Sequence, residues 1–385
     1  MKEIVDFIQS VYPGQSYIPL HAPVFRGNEQ KYVLDTIETT IVSSVGAYVE
    51  KFEQMVCDYT GAKYAVATVN GTSALHMCLL LTGVQSDDLV ITQALSFVAT
   101  SNAIKYTGAD PLYIDIDLDT LGMSPSALEK YLSESTKADQ KTGQRVDLKS
   151  GKRIAACVPM HTFGFPAAID QLSEICKEYQ IPLIEDSAES LGSAFKNRHT
   201  GTFGLMGVFS FNGNKTITSG GGGMIITNDE TLAKRAKHLT TQAKIPHSWE
   251  YYHDQLGYNY RCPNINAALA CAQMEQLESF VLNKRETAEL YMKFFKNRKD
   301  AEFLEEPKGS RANYWLNSIL FPSKKERDDF LKYSNERLVM ARPVWQLLNR
   351  LPMFMNCRCE ELSNSIEVEG RLVNLPSSVR LTESI

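Results

Sequence analysis

Apolar residues recur along this chain in two patterns, short β-rich runs and longer stretches with helical spacing. Lys2 to Tyr17 reads as a helix and turn leading into Ile18-Pro19-Leu20, and Asn28 to Thr39 reads as a helix. Glu50 to Thr60 is an amphipathic helix with Phe52, Met55, Val56 and Tyr59 on one stripe. From Tyr64 the two patterns alternate. Strands are predicted at Tyr64–Val69, Leu89–Thr92, Leu112–Asp117, Arg153–Met160 and Ile181–Ile184. Helices open at Asn70-Gly71-Thr72-Ser73, after Ser96-Phe97-Val98-Ala99-Thr100, at Ser124-Pro125 and over Asp170–Tyr179. This alternation implies an α/β fold, a mostly parallel sheet with helices on both faces and ligand sites off the carboxyl ends of its strands. Ser133 to Lys152 is polar and reads as a solvated surface insertion. Further on, Pro263 to Lys296 carries one long helical pattern, and strands at Tyr314–Phe321 and Leu338–Val344 flank a helix at Lys324–Tyr333. The expected division is a large domain with an N-terminal arm over residues 1–249 and a small C-terminal α/β domain over 250–385.

Composition narrows the function classes. The 385 residues are 43% hydrophobic and 22% charged, ordinary for a globular protein able to bury a large core. A net charge of −5 provides no basic field for nucleic acid or an acidic membrane. No apolar run has the length of a membrane span, and Met1 to Asp6 lacks the basic-then-apolar pattern of a signal peptide. The eight cysteines are scattered and Cys357-Arg358-Cys359 is the only close pair, so no zinc site is expected. Reduced thiols in a cytoplasm are the expectation.

Candidate chemistry centres on Ser210-Phe211-Asn212-Gly213-Asn214-Lys215, followed by Gly220 to Gly223. A lysine that must form an imine needs a desolvated site, and glycines let backbone approach a flat ligand. Ser210 could donate to a phosphate, as could the helix start at Gly71-Thr72-Ser73. Asp186 follows a strand, where it could pair with a protonated ring nitrogen. Taken singly, these residues leave simpler readings open. Lys215 could face water and Asp186 could cap a helix. The Gly-Thr-Ser turn reads first as a cap, and Phe97 as a core aromatic. Together they are the parts a pyridoxal phosphate enzyme needs.

The motifs resemble those of the DegT/DnrJ/EryC1/StrS sugar aminotransferases. They run through Gly27-Asn28-Glu29, Phe52-Glu53, Asn70 to Leu75, Ser96 to Thr100 and His161 with Gly164, then Glu185-Asp186-Ser187-Ala188, Ser210 to Lys215 and Gly257 to Arg261. The resemblance extends from Ile18 to about Ser378 and implies the fold-type I (aspartate aminotransferase-like) architecture. It makes Lys215 the imine-forming lysine and Asp186 the partner of the pyridine nitrogen. Gly71, Thr72, Ser73 and Ser210 would bind the phosphate, and Phe97 would stack on the ring. Asn259 would reach the neighbouring subunit's phosphate, so a homodimer with shared active sites is implied.

Within the family, Glu189 stands where most members carry Gln or His. With Arg311-Ala312-Asn313-Tyr314-Trp315-Leu316 and Ala341-Arg342-Pro343-Val344-Trp345 it resembles the branch making UDP-4-amino-4,6-dideoxy-N-acetylglucosamine for bacillosamine and legionaminic acid. Arg311, Trp315 and Arg342 would then meet the substrate, and Glu189 would join the catalytic group. The implied reaction is ping-pong transfer of an amino group from L-glutamate to C4 of a nucleotide-linked 4-keto-6-deoxy sugar, UDP-2-acetamido-2,6-dideoxy-hexos-4-ulose. The alternatives are a GDP- or dTDP-linked acceptor at C3 or C4, and a keto-sugar dehydratase. The dehydratases of the family replace the lysine with histidine, which Lys215 argues against.

Overall fold

The computed structural model describes residues 1–381. Its largest sheet is built from β1 Tyr64–Thr68, β2 Leu89–Gln93, β3 Asp110–Ile114, β4 Ile154–Val158, β5 Ile184–Asp186, β6 Met206–Ser210 and β7 Gly223–Thr227. Their order is β1-β7-β6-β5-β4-β2-β3, with β4 and β5 joined by parallel pairing at Cys157/Leu183 and Met160/Asp186. Only β7 runs against its neighbours. The ends of β1, β2, β4, β5 and β6 therefore open on one edge, where β7 contributes its beginning. Strands β2, β4 and β7 are buried throughout, as expected of a sheet covered on both faces. Helix Gly71–Leu81 lies against β1, β6 and β7 and is buried almost all round. Helices Pro125–Ser135 and Ile169–Glu178 cover the β2–β4 side through Leu128, Leu132, Leu172 and Cys176.

A second, antiparallel sheet contains β8 Glu302–Phe303, β9 Asn317–Leu320, β10 Arg342–Pro343 and β11 Leu372–Leu375, in the order β8-β9-β11-β10. Its core gathers Ile319, Leu372 and Val373 with Tyr291 and Phe295 of helix Leu277–Phe295. The N-terminal helix Lys2–Val11 packs into this same core through Ile4, Val5 and Ile8. The chain then pairs Ile18 with Val339, and Leu20 accepts from the Ser377 N–H at 2.8 Å. The first twenty residues thus belong physically with the C-terminal sheet. No helix among the described residues is long and apolar enough to cross a membrane.

Three stretches depart from the sequence expectation. The long pattern from Pro263 is two helices, Asn264–Met274 and Leu277–Phe295. At the break between them Glu275 accepts from Tyr32 Oη at 2.6 Å and Gln276 Nε2 donates to Glu29 at 2.6 Å. The expected surface insertion at 133–152 holds a hairpin of Thr136–Ala138 with Arg145–Asp147. It is anchored by the fully buried Asp147, which accepts from Tyr131 Oη at 3.0 Å and from the Ser150 N–H at 2.7 Å. The strand expected over Leu338–Val344 is confined to Arg342–Pro343, with a lone bridge at Val339.

Candidate active site

At the carboxyl edge of the large sheet lies a cavity of about 310 Å³. Gly71 and Thr72 line it from the turn after β1, Met160 from beyond β4, Asp186 and Glu189 from the end of β5, and Ser210 and Lys215 from the end of β6. Asn70 caps the first of these turns, its side chain accepting from the Ser73 N–H at 2.8 Å. The N–H groups of Gly71 and Thr72 thus lie at the positive end of a helix beside the Ser210 hydroxyl, a setting suited to phosphate. A Cβ on Gly71 would lie 3.0 Å from Ser210 Cβ. The glycine run before β7 serves mainly protein packing: a Cβ on Gly223 would lie 2.3 Å from the Asn70 carbonyl oxygen. Gly221 and Gly222 do line the cavity.

Asp186 is buried at the cavity floor. Its Oδ2 accepts from Thr100 Oγ1 at 2.7 Å and its Oδ1 from the Ala188 N–H at 3.2 Å. Burial is the main influence on its carboxyl and pushes its pKa up, against the opposing Thr100 hydrogen bond and the charge of Lys215. Among the described residues no cation is bonded to it. The Lys215 side chain is 12% exposed; its Nζ donates to Glu189 Oε1 at 3.2 Å and lies 4.1 Å from the centre of the Trp315 ring. The other oxygen of Glu189 accepts from the Phe163 N–H at 2.9 Å. Phe163 adopts a left-handed backbone with φ +57°, a costly conformation for an aromatic residue that aims this N–H into the site. Burial raises the Glu189 pKa to about 7, with Lys215 opposing.

The walls are aromatic. Phe97, 46% exposed, sits edge-on to Trp345 with ring centres 6.0 Å apart, and Trp345 also meets Phe163 at 5.0 Å. Phe97 therefore faces the cavity. Trp315 is held by its indole N–H, which donates to the Asn214 carbonyl at 2.7 Å. Asn313 ties these parts together. Its amide donates to the Glu189 and Leu191 carbonyls at 2.9 Å, and its oxygen accepts from the Trp315 N–H at 2.8 Å. Gly164 has φ +94°, and a Cβ there would fall 1.8 Å from Asn313 Oδ1. That accounts for glycine in the His161–Gly164 motif.

Of the residues singled out from sequence, the structure brings Lys215, Asp186, Glu189, Gly71, Thr72, Ser210, Phe97 and Trp315 to one cavity. Ser73, Asn259, Arg311 and Arg342 are not among its lining residues. Ser73 lies beneath the turn, bonded to Asn70 through its N–H. Asn259 is exposed and bridged to Thr241. Arg311 is engaged by Glu278 at 2.5 Å and by the Gly192 carbonyl at 3.0 Å. Arg342 lies exposed on edge strand β10 and donates to Asn335 Oδ1 at 3.1 Å. Sequence alone gives no role to Thr100, Asn313 or Trp345, although each stands inside one of the motifs quoted above. A hydroxyl at the start of a helix facing a strand end was the available signal for Thr100.

The DegT/DnrJ/EryC1/StrS aminotransferase family pattern matches residues 23–384. The chain is 38% identical to a GDP-perosamine synthase of Escherichia coli O157:H7, over 94% of this chain and 93% of that one. It is 34% identical to EpsN of Bacillus subtilis (strain 168), over 95% and 92%; EpsN is provisionally described as a pyridoxal phosphate-dependent aminotransferase. Among solved structures, the aminotransferase TlmJ from Streptoalloteichus hindustanus superposes with a TM-score of 0.86 at 25% identity, over 96% of this chain and 95% of that one.

Proposed function

The chain belongs to the DegT/DnrJ/EryC1/StrS aminotransferase family, and from that membership we propose that it moves an amino group from glutamate to C4 of a nucleotide-linked 4-keto-6-deoxy sugar, with pyridoxal phosphate as cofactor. The observation that carries this reading is Asp186, a buried carboxylate with no cation bonded to it among the described residues, across a cavity from Lys215. Such a charge is costly unless a partner arrives, and a protonated pyridine nitrogen is one. When bound, pyridoxal phosphate supplies an aldehyde for a lysine amine and a ring that stores the electrons of a substrate carbanion.

The protein's own groups divide the remaining work. Asp186, oriented by Thr100, holds the ring nitrogen. Gly71, Thr72 and Ser210 hold the phosphate. Phe97 covers the ring, while Trp315 and Trp345 narrow the water's access. Lys215 links to the cofactor and, once displaced, moves the proton of the transfer. Borohydride reduction of the loaded protein followed by peptide mapping tests this, since label on a lysine other than Lys215 would overturn it.

The acceptor proposed is UDP-2-acetamido-2,6-dideoxy-hexos-4-ulose. Supporting it are Glu189 and the resemblance of segments 311–316 and 341–345 to the bacillosamine and legionaminic acid branch; each segment sends a tryptophan into the cavity. A GDP-linked acceptor is the second reading, favoured by the names of relatives such as the Escherichia coli protein. Ratios of kcat/KM for UDP-, GDP- and dTDP-linked 4-keto sugars in competition separate them. Neither arginine lines the cavity in a single chain, so their part in diphosphate binding would need a shift of Arg311 or Arg342.

The working unit proposed is a cytoplasmic homodimer in which Asn259 completes the partner subunit's site. Trp249, Tyr251 and Leu256, each more than three-quarters exposed, support this because large apolar side chains on the same loop favour burial against a second copy. Mixing a Lys215→Ala chain with an Asn259→Ala chain should restore activity. With subunit exchange verified, no recovery places Asn259 outside the partner's site.

A further inference from the structure

We propose that Glu189 is the base that takes the proton from Lys215, giving the neutral amine that must attack the cofactor aldehyde. This rests on the pyridoxal phosphate reading above. Among the described residues, Glu189 Oε1 is the only hydrogen-bond acceptor on Lys215 Nζ, at 3.2 Å. Asp186 is bonded instead to Thr100 and Ala188. Trp315 covers the ammonium with a ring face at 4.1 Å, which attracts the cation but accepts no proton.

The step conserves charge. The N–H bond of the Lys215 ammonium breaks, an O–H bond forms on Glu189 Oε1, and an ion pair becomes a neutral amine beside a carboxylic acid. Both groups are largely shut off from water, with side chains 12% and 1% exposed. The hydration that a buried ion pair gives up can exceed what its mutual attraction returns, and burial is the largest influence on the Glu189 carboxyl, ahead of the opposing charge of Lys215. The charged groups acting on Glu189 are Lys215, from the segment after β6, and Asp186, from its own segment. His161 bears on Asp186, and Lys215 bears on the buried His21. The Phe163 N–H holds the second oxygen and fixes the carboxyl in place through the transfer. With a pKa raised to about 7 by burial, Glu189 can accept or release a proton at neutral pH at little cost.

The test mixes cofactor-free protein with pyridoxal phosphate and follows formation of the lysine-linked chromophore against pH. In the unaltered protein the rate constant should rise through about pH 7 as Glu189 ionises. In Glu189→Gln, which keeps an oxygen for the Phe163 N–H, the rate constant should fall about 10²-fold and lose that inflection. Affinity for pyridoxamine phosphate, which makes no link to lysine, should be unchanged. An unaltered rate and pH profile in Glu189→Gln overturns the proposal. So does a matching loss of pyridoxamine phosphate affinity, which would mark a merely structural role. No chromophore in the unaltered protein would overturn the cofactor reading first and this proposal with it.

Discussion

Glu185 and Glu189 both lie at the end of β5, both are buried, and each meets a nitrogen base, yet their surroundings differ. Glu185 accepts from the Gly201, Phe203 and Gly204 N–H groups at 2.6–2.7 Å and from His161 Nε2 at 3.0 Å. His161 is fixed in turn, because its Nδ1 accepts from the Ala167 N–H at 3.0 Å, which leaves the proton on Nε2. Every direction around that carboxylate is filled. Glu189 makes two hydrogen bonds through its carboxylate, and one of them is to the lysine of the site. The first arrangement holds the loop after β5 rigid. The second is left with capacity to change, and strand alternation between Glu185 and Asp186 is what separates framework from cavity.

The contrast can be broken experimentally. Lys215→Ala should lower turnover by about 10⁴-fold, the upper range for a lost acid–base group, while dialysis shows cofactor still retained. Next comes Glu185→Ala, which strands His161 and three backbone N–H groups. It should cost about 3–5 kcal/mol in urea unfolding, since each buried donor left without its acceptor costs about 1–3 kcal/mol and relaxation recovers part of the sum. A loss below about 1 kcal/mol there would erase the distinction.

Glu189 should behave oppositely, and the sign follows from its raised pKa. The folded cofactor-free protein keeps a proton to about pH 7 that the unfolded chain releases near the ordinary glutamate value of 4.5. Stability should therefore decline as pH rises between those values, by at most about 1.4 kcal/mol per pH unit. Unfolding of Glu189→Gln, measured at both ends of the window, should lack that slope; an identical slope assigns it to other groups.

Smaller effects sharpen the boundary of the site. Gly164→Ala meets Asn313 and a left-handed backbone, so about 1–3 kcal/mol of stability should be lost by the same measurement. Arg311→Ala, which breaks a half-exposed pair with Glu278, should cost less than about 1 kcal/mol. Its kcat/KM for the sugar nucleotide then reports whether the arginine leaves Glu278 to bind diphosphate.

What sequence made legible was local. The strand-turn-helix of Tyr64 to Leu79 was readable because its cap, Asn70, acts on a residue three positions away. Asp186 and Ser210 are readable because each ends a strand of one sheet edge, and Lys215 because it follows Ser210 in the same short motif. The unread parts depend on distant residues. Asn313 matters through Glu189 and Leu191, and Trp345 through Phe97 and Phe163. Asp147 lies in a stretch that reads as solvated because its carboxylate is held by polar partners, Tyr131, Ser150 and the distant Arg358, rather than by any apolar period. The helix break at Glu275 likewise reflects partners at Asn28, Glu29 and Tyr32.

The packing of helix Lys2–Val11 against the C-terminal sheet has a consequence for how the chain is made. Once Gly223–Thr227 has emerged from the ribosome, all strands of the large sheet exist and can pair. The first helix, by contrast, leaves the ribosome far ahead of Leu372 and Val373, against which its cluster closes. Its apolar stripe of Ile4, Val5 and Ile8 stays open until those residues follow. Closure over so long a separation is slow and leaves a sticky surface in the meantime. The nascent protein should thus depend on chaperones for helix Lys2–Val11 and not for its cofactor-binding sheet.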